Sequence, residues 1–446
     1  MGGPATTRTG ALATHAATAP RRALAASLLA LLLALASARA GLASDWPQWR
    51  GPGRDGAARG FRAPAAWPAE LSQKWKVTVG EGHASPVVAG ERVFLFARVG
   101  EEEVLLCLDA ATGGTLWRAA HDAPYTMHQA ATSHGKGPKS TPVVAGGLVC
   151  TLGISGTLSC HDAGTGALKW RRSFQRRFGK GAPLYGAAMS PLVDDGVLVA
   201  HVGGHGGGAL GAFSVATGET VWSWEGDGPG YASPILATFD GVTQVVTQTR
   251  KQIVGIDRAS GALLWSVPFT TPWEQNIVTP IRVGDTIVVS GLEQGTRALR
   301  PARAEEGWTV GTTWTTDAVS LYMNSPVVAG ERLCGLSHLR KGQFFCVEAS
   351  SGRVVWTSEG READHASTVV AGDLLLHLTD AAELIVMRAD GGAPVARYTV
   401  ADSPVWAHPA FVDGDILVKD ATTLARLSFR GPPPVAPRKP PDPRGR

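Results

Sequence analysis

One phrase recurs along almost the whole chain: a small residue, then proline, then alternating apolar residues, a turn, and more apolar residues. It opens at Pro86, Pro142, Pro191, Pro234, Pro280, Pro326 and Pro409, with Thr368 in place of proline in Ser367-Thr368-Val369-Val370-Ala371-Gly372. Successive openings lie 41 to 56 residues apart. Four short strands and their turns need about that length, which is the period of a propeller blade. Proline suits the head of a strand, where its missing N–H breaks no ladder bond.

A second phrase follows about 30 residues after each proline. It reads Asp109-Ala-Ala-Thr112-Gly113 before Trp117, Asp162-Ala-Gly-Thr165-Gly166 before Trp170, and Ser214-Val-Ala-Thr217-Gly218 before Trp222. Asp257 to Trp265 and Glu348 to Trp356 repeat it, while Ala304–Trp314 lacks the Thr-Gly and the seventh copy runs from Asp390 to Tyr398. Asp or Ser accepts backbone N–H bonds in the turn, and Gly takes the positive φ of a tight hairpin. Each Trp then falls on a last strand, where its large flat ring covers the joint with the next blade.

After Pro409 the chain supplies only three strands, ending near Phe429, while one spare strand, Leu71–Val79, precedes Pro86. Its Trp75 lies 42 residues before Trp117, in phase with the others. The expected fold is therefore all-β: an eight-bladed β-propeller of four-stranded antiparallel blades, closed by an N-terminal strand that completes the last blade. Closure removes the exposed sheet edges. The expected organisation is a signal peptide over 1–40, an N-terminal extension over 41–70, the propeller over 71–430 and a disordered, Pro-rich basic tail over 431–446.

Arg21 and Arg22 precede the apolar run Ala23–Ala38, and Ala38-Arg39-Ala40 offers a cleavage site. That is the export-signal pattern, and the run is shorter than the ~20 residues a bilayer span needs. The first cysteine is Cys107, so a lipid anchor on a mature N-terminal cysteine is not expected. The net charge of +4 sits at the ends: residues 1–40 carry four arginines and no acid, and 431–446 four bases against one acid. The body is slightly acidic, which argues against nucleic-acid binding. The expected product is a periplasmic or secreted monomer with no transmembrane segment.

The Asp-x-x-Thr-Gly-x-x-x-Trp phrase resembles the tryptophan-docking motif of pyrroloquinoline-quinone-like (PQQ-like) propellers. Those include quinoprotein alcohol dehydrogenases and the propeller subunit of the outer-membrane-protein assembly machinery. The stretch Asp45-Trp46-Pro47-Gln48-Trp49-Arg50-Gly51-Pro52 is also similar to envelope proteins with PQQ-binding-like repeats. The resemblance covers 45–430 and implies the fold; the motif marks blade packing rather than cofactor. The adjacent cysteine pair typical of quinoprotein dehydrogenases is missing, as is a Cys-x-x-Cys-His haem motif.

Loops entering the innermost strands crowd one mouth of a propeller channel. The residues three before each opening are His83, Lys139, Ala188, Tyr231, Ile277, Met323, His365 and Trp406. Of these, His83, Lys139, Tyr231, His365 and Trp406 are candidate binding residues for a polar and aromatic pocket, or else ordinary loop residues. His121, His128, His134 and Lys136 in the connection before Pro142 match no compact metal motif and read as a solvated loop. His201-Val-Gly-Gly-His205 reads either as a close backbone approach where two histidines converge or as a bulged hairpin with exposed histidines, Asp194-Asp195 as a solvated turn, and Arg250-Lys251 as a solvent-facing or partner-contacting hairpin tip. Cys150 and Cys160, and Cys334 and Cys346, fall opposite each other on paired strands. Each pair is either a cross-strand disulfide or two small core residues; Cys107, facing Phe94, is a free buried thiol. Trp75, Trp117, Trp170, Trp222, Trp265, Trp314 and Trp356 are assigned to blade docking. No catalytic constellation or metal site is assignable. The leading expectation is a non-catalytic exported module that binds another envelope protein or a glycan, with no cofactor. The rivals are a dehydrogenase using PQQ and calcium, with Glu274, Asn276, Asn324 and Asp364 near the right loops, and a purely structural scaffold.

Overall fold

A computed structural model describes residues 1–3, 5 and 45–430; the expected signal peptide, apart from its first few residues, and the expected tail lie outside the described residues. The body forms eight four-stranded antiparallel sheets. Seven are built from consecutive strands; in blade one these are Val87–Ala89, Arg92–Val99, Glu102–Asp109 and Thr115–Asp122. In the eighth, Ser72–Thr78 pairs with Thr423–Ser428, followed by Asp415–Lys419 and Ala410–Val412. The spare N-terminal strand thus closes the ring, and this is an eight-bladed β-propeller. Among the described residues no helix is long and apolar enough to cross a membrane.

The small residue ahead of each proline has a specific task. The backbone N–H of Ser85 donates to Thr141 Oγ1 (3.0 Å), Thr141 to Ser190 Oγ (3.0 Å), Ser190 to Ser233 Oγ (2.9 Å), Ser233 to Thr279 Oγ1 (3.0 Å) and Thr279 to Ser325 Oγ (3.1 Å). His408 N–H donates to Ser85 Oγ at 2.9 Å across the seam. A belt of hydroxyls therefore ties neighbouring innermost strands at six of the eight joints and satisfies N–H groups that no ladder reaches.

The tryptophans tie the blades at the rim. The Trp170 indole donates to Val215 O of the next blade at 2.7 Å, Trp222 to Arg258 O at 3.1 Å, Trp75 to Ala110 O at 3.0 Å and Trp117 to Ala163 O at 3.2 Å. Trp314 and Trp356 reach Ala349 O (3.1 Å) and Ala389 O (3.0 Å) in the same way. Each ring lies on the glycine of the receiving turn: a Cβ on Gly218 would stand 2.6 Å from Trp170. Glycine serves there twice, for its φ of +73° and for the close approach. Trp265 differs. The fifth blade lacks the Thr-Gly turn, and its indole donates instead to Gln244 Oε1 of its own blade at 2.6 Å.

Cys150 lies directly opposite Cys160, and Cys334 opposite Cys346, with Cα atoms 4.1 and 4.2 Å apart and the sulfurs bonded. Cys107 is free and buried opposite Phe94, and burial pushes its thiol up to about 11.

The glycine-rich hairpin departs from expectation. Val197–Gly204 and Gly207–Ser214 pair without a register shift around a two-residue turn, so there is no bulge. His201 is buried at 3% exposure, because it lies mid-strand in the interior of the ring rather than at the tip.

Candidate functional site

The channel's two ends are built differently. Residues 45–58 cross the end remote from the loops that precede the prolines. Trp46 exchanges backbone bonds with Val88 (2.9 Å each way), Pro47 O accepts from Val144 N (2.8 Å), and Gly56 O and Ala58 N bracket Val370 (2.9 and 2.8 Å). Arg54, 4% exposed, donates to the carbonyls of Ser190 (2.8 Å), Pro191 (2.8 Å) and Pro234 (3.0 Å). One segment therefore contacts the innermost strands of blades one to four and seven, and Arg50 adds blade six through Pro326 O. In the sequence, 41–70 reads as an extension ahead of the propeller. The polar-aromatic run Trp46–Asp55 was the visible signal, but no periodicity shows where such a segment docks.

Above this floor a cavity of about 700 Å³ opens at the mouth. All eight positions three before the blade openings line it, so His83, Lys139, Tyr231, His365 and Trp406 are brought together with Ala188, Ile277 and Met323. Trp406 stacks on His365 (centroids 4.9 Å, planes 15° apart) and meets His134 edge-on at 4.8 Å. His83 lies 5.9 Å from Trp406, and its Nε2 bonds His134 O at 3.0 Å. On the facing wall, Tyr185 and Tyr231 rings are 6.0 Å apart, with His128 5.4 Å from Tyr185 and Lys139 Nζ donating to Tyr185 O at 2.9 Å.

The loop before Pro142 is thus not merely solvated. Gln129–His134 forms a short 3₁₀ turn capped by His128, and both histidines line the cavity. His121 does not reach it; it ends the outer strand, 3.5 Å from the buried Glu103 carboxylate. The spacing of the histidines hides this grouping because the turn folds two of them inward.

Burial dominates the electrostatics. It lowers His83 to about 3, His365 to about 4 and His408 to about 3, so these imidazoles are neutral at pH 7. Lys139 falls to about 8 for the same reason and keeps most of its charge. Desolvation pushes the Tyr231 phenol above its ordinary range.

The edge of the mouth holds a feature that carries no signal in the sequence. Trp273 is 68% exposed, with positive φ at both Trp273 and Glu274 (+56° each). The turn is pinned because Glu274 pairs with Arg250 (2.5 and 2.6 Å). Arg250 is therefore not a free hairpin tip. Asp194 and Asp195 lie 2.5 and 3.6 Å from Arg258.

A calcium-dependent quinone site finds no matching donor set. Calcium takes six to eight oxygen ligands, yet among the described residues no aspartate or glutamate lines the cavity. Glu274 is engaged by Arg250, and Asn276 spends its amide nitrogen on the Thr249, Arg250 and Phe269 carbonyls. Asn324 alone of the four proposed ligands lines the cavity. Among the described residues no group of three or more His, Cys, Asp or Glu is placed to hold a metal.

Comparison with known proteins agrees with the architecture. The outer membrane protein assembly factor BamB of Bordetella pertussis is 23% identical over 396 residues, covering 83% of this chain and 84% of that one. BamB of Burkholderia pseudomallei is 27% identical over 263 residues, 50% of this chain and 64% of that one. Among solved structures, BamB from Moraxella catarrhalis superposes with a TM-score of 0.59 at 13% identity, covering 82% of this chain and 99% of that chain. Quinohemoprotein alcohol dehydrogenase from Comamonas testosteroni superposes at 0.62 and 14% identity, covering 88% and 81%, which is likeness of fold. The family model for outer membrane protein assembly factor BamB matches residues 100–358, more than half of the sequence, and the chain belongs to that PQQ-like propeller family.

Proposed function

We propose that this chain is a non-enzymatic adaptor of the cell envelope that binds a partner protein of outer-membrane protein assembly through the face around the channel mouth. The family match over 100–358 carries this reading. Trp273 supports it and names the contact point. An indole held outward by a strained, ion-paired turn is the kind of rigid aromatic anchor that dominates interface energies. In this reading residues 1–40 direct export and are removed, 41–70 lead into the propeller, and 431–446 trail as a basic arm.

The test is capture from an envelope extract with the mature protein as bait, repeated with Trp273→Ser and Trp406→Ala. The expected result is a partner retained by the wild type and lost with Trp273→Ser; an unchanged partner set would move the contact surface elsewhere. A glycan partner would instead show as retention on envelope polysaccharide after protease treatment of the extract. Fractionation should place the mature chain in the periplasm. Incubation with PQQ and calcium should give no dye-linked alcohol oxidation.

A further inference from the structure

Each blade leaves its outermost strand as an edge at the rim, with a row of backbone N–H and C=O groups that its own sheet does not take. Seven of these edges are blunted. Ser72–Thr78 carries Lys74 and Lys76, Thr115–Asp122 carries Arg118 and Asp122, Leu168–Arg172 carries Lys169, Arg171 and Arg172, and Ala396–Thr399 carries Arg397. Leu263–Pro268 ends in proline, while Thr220–Trp224 and Val354–Thr357 are only five and four residues long. Charge, proline and shortness all discourage edge-to-edge pairing.

Blade five, where the Thr-Gly turn of the repeat is missing, has none of these devices. Its outer strand, Gly307–Thr316, is ten residues long, and Gly-Trp-Thr-Val-Gly-Thr-Thr-Trp-Thr-Thr holds no charge and no proline. Threonine, valine and tryptophan are strand formers. Pairing with Thr296–Ala304 is regular from Gly307 to Thr312 and shifts only beyond it, at Thr313. The hairpin is also held firmly. Arg303 N–H donates to the Asp240 carboxylate at 2.7 Å, and Trp308 and Val310 lie against the core beside Leu264 and Val267 of blade four. The opposite side is open: Thr309 and Gly311 are exposed, and a Cβ on Gly311 would meet nothing within 4 Å.

We propose that Gly307–Thr316 is a pairing edge for a second copy of this chain, the two edges joining antiparallel about a two-fold axis at Val310. That register sets Val310 against Val310, Trp308 against Thr312 and Thr309 against Gly311. Aromatic and β-branched residues then face each other, and no charge opposes its own copy. A lysine-bearing edge such as Ser72–Thr78 would bring like charges together in the same arrangement. Two edges already fixed in extended form associate without the ordering cost that a disordered peptide pays, which favours a second copy as the occupant. A dimer of this kind replaces the monomer expected from the sequence. It uses no residue of the mouth, so partner capture through Trp273 stands or falls separately.

The test is sedimentation velocity of the purified protein across a concentration series, with amide hydrogen exchange over 307–316. The short paired stretch should give a weak dimer, with a dissociation constant of about 1–100 µM, and exchange over 307–316 should slow as the dimer forms. Gly311→Lys and Thr309→Glu should each weaken the dimer about tenfold or more, whereas mixing the two variants should restore association, because each lysine then faces a glutamate. Ala120→Lys, on the already charged edge of blade one, should change nothing. Both edge substitutions are at exposed positions, and should one fail to fold, the other and the exchange data still decide. A chain that stays monomeric throughout the series, or a dimer indifferent to both edge variants, would overturn the proposal. Protection of 307–316 that appears only on adding envelope extract would give the edge to another protein and overturn it equally.

Discussion

The rim of the propeller and the mouth of its channel obey opposite rules. At the rim the same residue recurs: seven of the eight sectors place a tryptophan on the outer strand, and the eighth a tyrosine, Tyr398. At the mouth the equivalent position is His83, Lys139, Ala188, Tyr231, Ile277, Met323, His365 or Trp406, and only histidine occurs twice. Rim residues face eight similar joints, and one solution serves six of them; Trp265 and Tyr398 bond elsewhere. Mouth residues face a single shared cavity, where eight copies of one side chain would make a symmetric ring with little means of discrimination. Repetition therefore marks stability, and its loss marks where recognition is expected.

Acid should test the contrast most severely, because it acts on both regions. His365 and His408 line the mouth, while His201 and His377 lie within blades; burial lowers them to about 4, 3, 4 and 3. Unfolded histidine titrates near 6.5. Between that pH and the folded values the unfolded state binds more protons. Stability is therefore full above about 6.5 and falls as pH drops, by up to about 1.4 kcal/mol per pH unit for each histidine. Urea unfolding from pH 7 to 4 checks this, and His365→Gln should flatten the dependence by one proton. A flat profile would mean that the mouth histidines are hydrated rather than buried.

Next in size is the rim itself. Trp170→Ala should cost about 3–5 kcal/mol in urea unfolding, the range for emptying a buried aromatic site, and leave partner capture through Trp273 intact. A matched pair of glycines sharpens the point. Gly218 and Gly196 both have φ of +73°, but a Cβ on Gly218 would meet the Trp170 ring at 2.6 Å, whereas one on Gly196 meets nothing within 4 Å. Gly196→Ala should cost about 1–2 kcal/mol, the left-handed backbone alone. Gly218→Ala should cost clearly more, by the overpacking against the ring, about 1–3 kcal/mol in addition. Equal costs would show that the ring does not rest on the turn. The smallest effect belongs to the mouth: Trp273→Ser should change stability by no more than about 0.5 kcal/mol, as an exposed substitution does, while abolishing partner capture.

Periodicity made the rim legible in the sequence. Pro-headed strands, Thr-Gly turns and tryptophans in phase are each local statements, because hairpin register and turn chemistry depend on neighbours a few residues away. Counting strands after Pro409 and before Pro86 was enough to close the ring, since an open edge is unfavourable. The mouth positions were legible as an address, three residues before each opening, but not as a site. Where His128 and His134 turn inward, where Trp273 is pushed outward, and that Arg50 and Arg54 enter a channel whose walls lie up to 276 residues away, follow from no local pattern. Those contacts join segments that only the closed ring brings within reach, and their chemistry is set by burial, which belongs to the tertiary structure alone.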